Sequence, residues 1–173
     1  MQGSVEQFLE EVARRGSWVG GGSVAALSAA LAAALLEKLL THPQAARRLR
    51  RIRHACVRLI ERDAVTFARV IKATRLKNHQ GFRRALKAAI DVPCQVVEHA
   101  QAIRRTARDA ARSVKPQFQS DLRCAIALAD AAGTSARILI DTNLAWLKDP
   151  DYTKAIRHRL KSSVRAYAHS HLP

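Results

Sequence analysis

Aromatic side chains are scarce in this chain of 173 residues: four Phe, two Trp and two Tyr, 5% in all. A core must therefore come from aliphatic residues and alanine. Glycine and proline are sparse too, seven and five, too few to punctuate a β-sandwich or barrel with turns. Three cysteines, Cys56, Cys94 and Cys124, are odd in number, far apart and without a CxxC pair, which excludes a disulfide framework and points to a reducing, cytoplasmic setting. The seven histidines form no HxxxH pair flanked by acids and no cluster with zinc spacing, so no metal site is expected. GxGxxG, P-loop and GxSxG patterns are missing, which leaves nucleotide hydrolysis and serine-hydrolase chemistry without support. No basic segment leads into an apolar stretch at the N-terminus, so no signal peptide is expected.

Acidic residues are also in short supply. Fourteen Asp and Glu stand against thirty Lys and Arg, a formal net charge of +16. Such a field attracts an acidic partner, and charge alone does not separate nucleic acid from a small molecule bearing several carboxylates.

What remains is helical periodicity throughout, which predicts an all-α domain spanning residues 1–173, a bundle of about seven helices. The first runs over residues 4–15, with Ser4 as N-cap, Val5, Phe8, Leu9 and Val12 on one face, and Gly16 as terminator. Residues 24–36 follow a triple-glycine loop and carry no charge. Thirteen residues are too few for a bilayer span of about 20, so this alanine-rich run is expected as a buried helix and no membrane partner is expected. Its small side chains permit close approach of neighbours in the same chain or across a homodimer interface. A third helix is expected over 43–75 with Pro43 in its first turn, a short one over 82–90, another from Pro93 to about 113, one over 120–147, and a basic one over 152–169.

Two features stand out as candidates for chemistry. Gly20, Gly21 and Gly22 precede Ser23, an expected helix N-cap, and a glycine loop feeding a helix N-terminus presents backbone amides and a positive dipole end to an anionic group. In the third helix Leu49, Ile52, Cys56, Leu59, Ile60, Phe67, Val70 and Ile71 form an apolar stripe, and Asp63 falls on it. An acid on a core-facing position needs a partner, an opening or a raised pKa. Asp121 reads as an N-cap or first-turn residue, while Asp141 and Asn143 sit late in a helix, where short polar side chains require a tertiary reason.

Phe8-Leu9, the stretch Gly20-Gly-Gly-Ser-Val-Ala-Ala-Leu27, Asp63-Ala-Val-Thr-Phe67, Val92-Pro93 and Ser120-Asp121 together resemble the cyclodeaminase/cyclohydrolase family over about residues 4–150. The resemblance implies an all-α homodimer acting on a one-carbon unit carried between N5 and N10 of tetrahydrofolate. The reaction would expel ammonia from a formimino group or add water to a methenyl bridge. It implies Asp63 as the catalytic acid/base and Gly20, Gly21, Gly22, Ser23, Asp121 and Asn143 around the substrate, with no cofactor besides the tetrahydrofolate derivative, itself the substrate. A degenerate member that binds nucleic acid or another polyanion without catalysis is the alternative motivated by the +16 charge. The chain departs from the family pattern at Val19, usually proline, at His42-Pro43-Gln44, where a Gly-Lys-Lys type segment is expected, at Leu76-Lys77-Asn78, usually Leu-Pro-Lys, and at Val114-Lys115-Pro116, which replaces Gly-Asn before the Ser-Asp pair.

Overall fold

The computed structural model describes residues 4–165, and the expected continuation of the last helix to residue 169 lies outside them. Six α-helices and one short 3-10 turn, Pro116–Phe118, make up the described chain: α1 Val5–Ala13, α2 Gly21–Leu39, α3 Pro43–Arg75, α4 His79–Ala110, α5 Gln119–Leu147 and α6 Pro150–Arg165. The helices from α2 to α5 run antiparallel in succession, as their cross-links show. Glu37 near the end of α2 accepts from Arg50 and Arg53 early in α3, at 2.8 and 3.0 Å. Arg62 meets Asp91 across α3 and α4 at 3.1 Å, and Arg104 meets Asp130 across α4 and α5 at 2.7 Å. Ser28 donates to the Leu128 carbonyl at 2.9 Å, and Lys38 pairs with Asp121 at 2.8 Å, which sets α5 alongside α2.

α2 is the central helix, in contact with α3, α4 and α5. It is long and apolar enough to cross a membrane by length and composition. Nine of its residues, six of them alanines, are nevertheless buried inside the bundle. Alanine costs no side-chain entropy in a helix and lets three neighbours approach one axis. Larger aliphatic side chains from the surrounding helices, Leu49, Leu86, Ile90, Ile103 and Ile140, complete the core. Cys56 and Cys94 behave as small hydrophobes there, and burial pushes both thiols up to about 12.

The expected pair of helices over 82–90 and 93–113 is a single helix, α4, with Pro93 inside it. Proline removes one intrahelical hydrogen bond and ordinarily ends or kinks a helix. Here Ala89, Ile90, Val92, Cys94, Val96 and Val97 are all buried around it, and tertiary packing holds the helix through the defect. In α1, Ser4 caps as expected and forms a capping box with Gln7. Only Phe8 of its apolar face is buried, whereas Val5 and Leu9 are exposed. α6 begins at Pro150 rather than near residue 152, because Asp149 accepts from the Tyr152 amide at 3.0 Å and so caps its first turn.

One arginine ties α6 to the bundle. Arg159 donates from Nε and Nη2 to both oxygens of Glu98, at 2.7 and 3.2 Å, and from Nη1 to Asp91 at 2.7 Å. Asp91 also receives Arg62, so three helices meet at one network. Arg159→Ala is expected to cost about 1 kcal/mol and to loosen α6 selectively. Amide exchange should accelerate in 150–165 while α2 to α5 keep their protection.

Candidate active site

The N-terminus of α2 is where Asp63 arrives. The helix begins at Gly21, three residues earlier than expected, with Gly20 as N-cap and no side-chain cap. Ser23 is therefore the third helical residue and not the N-cap, and it is fully buried. Its hydroxyl is 2.9 Å from the Ile60 carbonyl and 3.1 Å from Asp63 Oδ2, donating towards both, and its amide donates to the Asp63 carboxylate. Asp63 thus does from α3 what a capping side chain would do locally: it satisfies a first-turn amide that α2 cannot satisfy itself.

This contact also explains one glycine of the three. A Cβ on Gly22 would overlap the Asp63 carboxyl group, so the third glycine exists to let the acid reach the helix end. Gly20 has open space around it, and a Cβ at Gly21 would make an ordinary 3.7 Å contact with Leu139. Only the close approach at Gly22 demands glycine, and the loop itself contributes no positive φ at these positions.

Opposing effects act on the Asp63 proton. Burial raises its pKa, the two Ser23 hydrogen bonds lower it, and burial wins. The side chain is half-buried rather than sealed, so the acid remains within reach of a ligand. One turn along α3, Phe67 is not in the apolar core as expected. It is exposed, and its ring meets that of Trp18 edge to face at 6.2 Å. Helical spacing could not show this, because α2 stops short of that turn and the Trp18 segment covers it instead. Thr66 takes the buried position beside it and donates to the Asp63 carbonyl at 3.0 Å. The Trp18–Phe67 pair beside the acid is the feature that periodicity missed; the signal available was two of the few aromatic residues lying next to the glycines and the acid in sequence.

The other expected site residues divide. Asn143 is half-buried on α5, one turn from Leu139 and so on the part of α5 that adjoins Gly21. Asp121 is in the first turn of α5, tied to Lys38 at the opposite end of α2. Seventeen residues of helix separate Gly21 from Lys38, about 25 Å, so a single chain does not bring Asp121 to Asp63. Asp141 is exposed.

A core helix of alanines, wrapped by long antiparallel helices and capped at its N-terminus by an acid from its neighbour, defines an all-α bundle with a half-buried carboxylate at a helix end. The family model for formiminotransferase-cyclodeaminase matches residues 4–162, and the chain belongs to that family. Its fold is similar to the crystal structure of formiminotetrahydrofolate cyclodeaminase from Thermotoga maritima, with a TM-score of 0.83, 23% identity, and 94% of this chain and 88% of that one covered. Among curated proteins no sequence matches significantly.

Proposed function

We propose that this protein acts on a one-carbon unit of tetrahydrofolate, with Asp63 as its general acid/base. Asp63, held against the N-terminus of α2 with a raised pKa, is the observation that carries this reading. A carboxyl group that stays protonated to higher pH than usual can donate a proton to a departing amine, which is what expulsion of ammonia from 5-formiminotetrahydrofolate requires. Ionised, the same group can take a proton from water attacking a 5,10-methenyl bridge, and its charge favours the cationic carbon. The exposed Trp18 and Phe67 rings offer flat apolar surface to a pterin within one turn of the acid.

The two chemistries predict opposite pH dependence. Proton donation needs the acid form, so ammonia release would be fastest below the Asp63 pKa and fall as pH rises through it; water activation would rise over the same interval. Purified protein is to be assayed with 5-formiminotetrahydrofolate for ammonia and with 5,10-methenyltetrahydrofolate for loss of near-ultraviolet absorbance. Turnover of the first with an acid-favoured profile supports the deaminase reading, and turnover of the second with a base-favoured profile supports the cyclohydrolase reading. Inactivity towards both removes the proposal.

The site is completed, in this reading, by a second copy. Val24, Leu27, Leu31 and Leu35 form an outward-facing apolar row on α2, and the exposed row Cys124, Ala127, Ala131, Ser135, Ile138 and Thr142 runs beside it on α5. Neither row carries a charge, although the chain has a net charge of +16. A face without charge in so cationic a molecule meets its own copy with little repulsion, and continuous apolar surface is what a stable interface buries. A two-fold axis crossing the middle of α2 would place the Asp121 end of one copy at the Asp63 end of the other, uniting the expected site residues. Leu31→Arg with Ile138→Arg is expected to convert a dimer to a monomer in sedimentation, with the helical content retained.

A further inference from the structure

On one side of the bundle the basic charge is organised. A cavity of about 580 Å³ between α4 and α5 is lined by Arg104, Arg105, Arg108 and Arg137, with Arg48 reaching in from α3. A second cavity, between α5 and α6, also contains Arg137, together with Arg157 and Lys161. A third, at the α5–α6 turn, shares Arg157 and Lys161 and adds Lys148 and Lys154. The three adjoin through these shared side chains into one track. Along α5 alone it extends from Ala129 to Ala145, sixteen residues or about 24 Å of helix.

Nine cations line the track against four acids, Asp109, Asp130, Asp141 and Asp149. Two of the acids are engaged already. Asp130 holds Arg104 at 2.7 Å, and Asp149 holds Arg83 and Lys87, which lie outside the track, at 3.0 and 3.2 Å. The excess positive charge is therefore carried by guanidinium and ammonium groups spaced along a groove, which is the arrangement that tracks a phosphate backbone. No Phe, Trp or Tyr lines any of the three cavities. His158 is the single ring among the lining residues, so stacking of bases contributes little and recognition rests on the anionic chain itself. A trough between packed helices, whose axes lie about 8–10 Å apart, suits a single chain of phosphates rather than a duplex.

We infer that the α4–α5–α6 track is a binding site for a linear chain of phosphates, read through its charges and not through bases. It shares no residue with the Asp63 site. Two sources supply such a chain, inorganic polyphosphate and the backbone of a single-stranded nucleic acid.

Fluorescence anisotropy with labelled medium-chain polyphosphate and, separately, with labelled oligo(dT) tests this on the full chain. Saturable binding of at least one probe is expected, with log Kd rising linearly with log salt. Arg137 and Arg157 are both exposed and link adjoining cavities, so Arg137→Gln with Arg157→Gln leaves the core intact. This variant should bind about tenfold more weakly and lose about one to two units of salt slope. Arg15→Gln with Arg75→Gln removes the same charge away from the track and should change affinity less than about twofold. Tighter binding of polyphosphate identifies the first source, and tighter binding of oligo(dT) the second. Absence of saturable binding to both probes, or equal weakening by the two variants, overturns the proposal. Because the readout is binding, its result is independent of folate turnover.

Discussion

Asp63→Asn is expected to reduce turnover of the folate substrate by about 10²–10⁴, the usual contribution of a positioned general acid or base, while leaving the protein at least as stable at neutral pH. The two halves of this result rest on the same geometry. Asn keeps an oxygen that accepts from the Ser23 amide, so α2 retains its cap, but it can neither donate nor take up the reacting proton. The sign of the stability change follows from linkage. The folded-state pKa of Asp63 is raised above its ordinary value of 3.8. Its protonated form is thus favoured by folding, and the stability it supplies is fully present below about pH 3.8. That stability is lost as pH rises through the folded pKa, and at neutral pH the wild-type protein holds a partly desolvated charge. The Asn variant holds none. Thermal melts and assays at pH 5 and pH 7.5 check both halves. A parallel loss of activity and melting temperature would instead make Asp63 a structural cap and no more. Asp63→Ala, which removes the acceptor as well, should cost about 1 kcal/mol, typical of a lost helix cap.

Gly22→Ala should be the most damaging glycine-to-alanine change among the described residues. The added carbon overlaps the Asp63 carboxyl group, so either α2 shifts away from α3 or Asp63 rotates off Ser23. The cost is expected at about 1–3 kcal/mol, the range for inserting a methyl into a filled space, or roughly 2–4 °C of Tm per kcal/mol for a chain of this size. Activity should fall with it, because the displaced carboxylate no longer occupies the site. Gly20→Ala and Gly21→Ala serve as controls. Neither meets a close neighbour, and both should fold with a Tm within about 2 °C of wild type. A double-mutant cycle closes the argument: in the Asp63→Ala background Gly22→Ala should cost much less, since its obstacle is gone. Equal costs in both backgrounds would place the clash elsewhere.

These results depend on a contact between residues forty apart in sequence, and that separation marks the limit of what periodicity can show. The stripe in α3 made Asp63 conspicuous, and the resemblance to a folate enzyme family gave it a role. Neither said which neighbour it meets. Ser23 illustrates the same limit from the other side. Serine after glycines is a good local cap, yet the helix starts three residues earlier than such a cap would set it, and the hydroxyl turns inward, because a better acceptor pair comes from α3. Pro93 is the converse case: a local signal to end a helix, overruled by the burial of six neighbouring side chains.

The all-α class, the central alanine helix, the extent of the 43–75 helix and the capping of α1 by Ser4 were determined by the sequence alone. Each depends on residues within a few turns of one another, where hydrophobic period, propensity and caps act directly. The partner of Asp63, the reason for Gly22, the exposure of Phe67 beside Trp18 and the joining of three basic cavities were decided only by the tertiary structure. These depend on how far each helix extends past its neighbour and on which faces meet, and those are set by the packing of the whole core rather than by any segment within it.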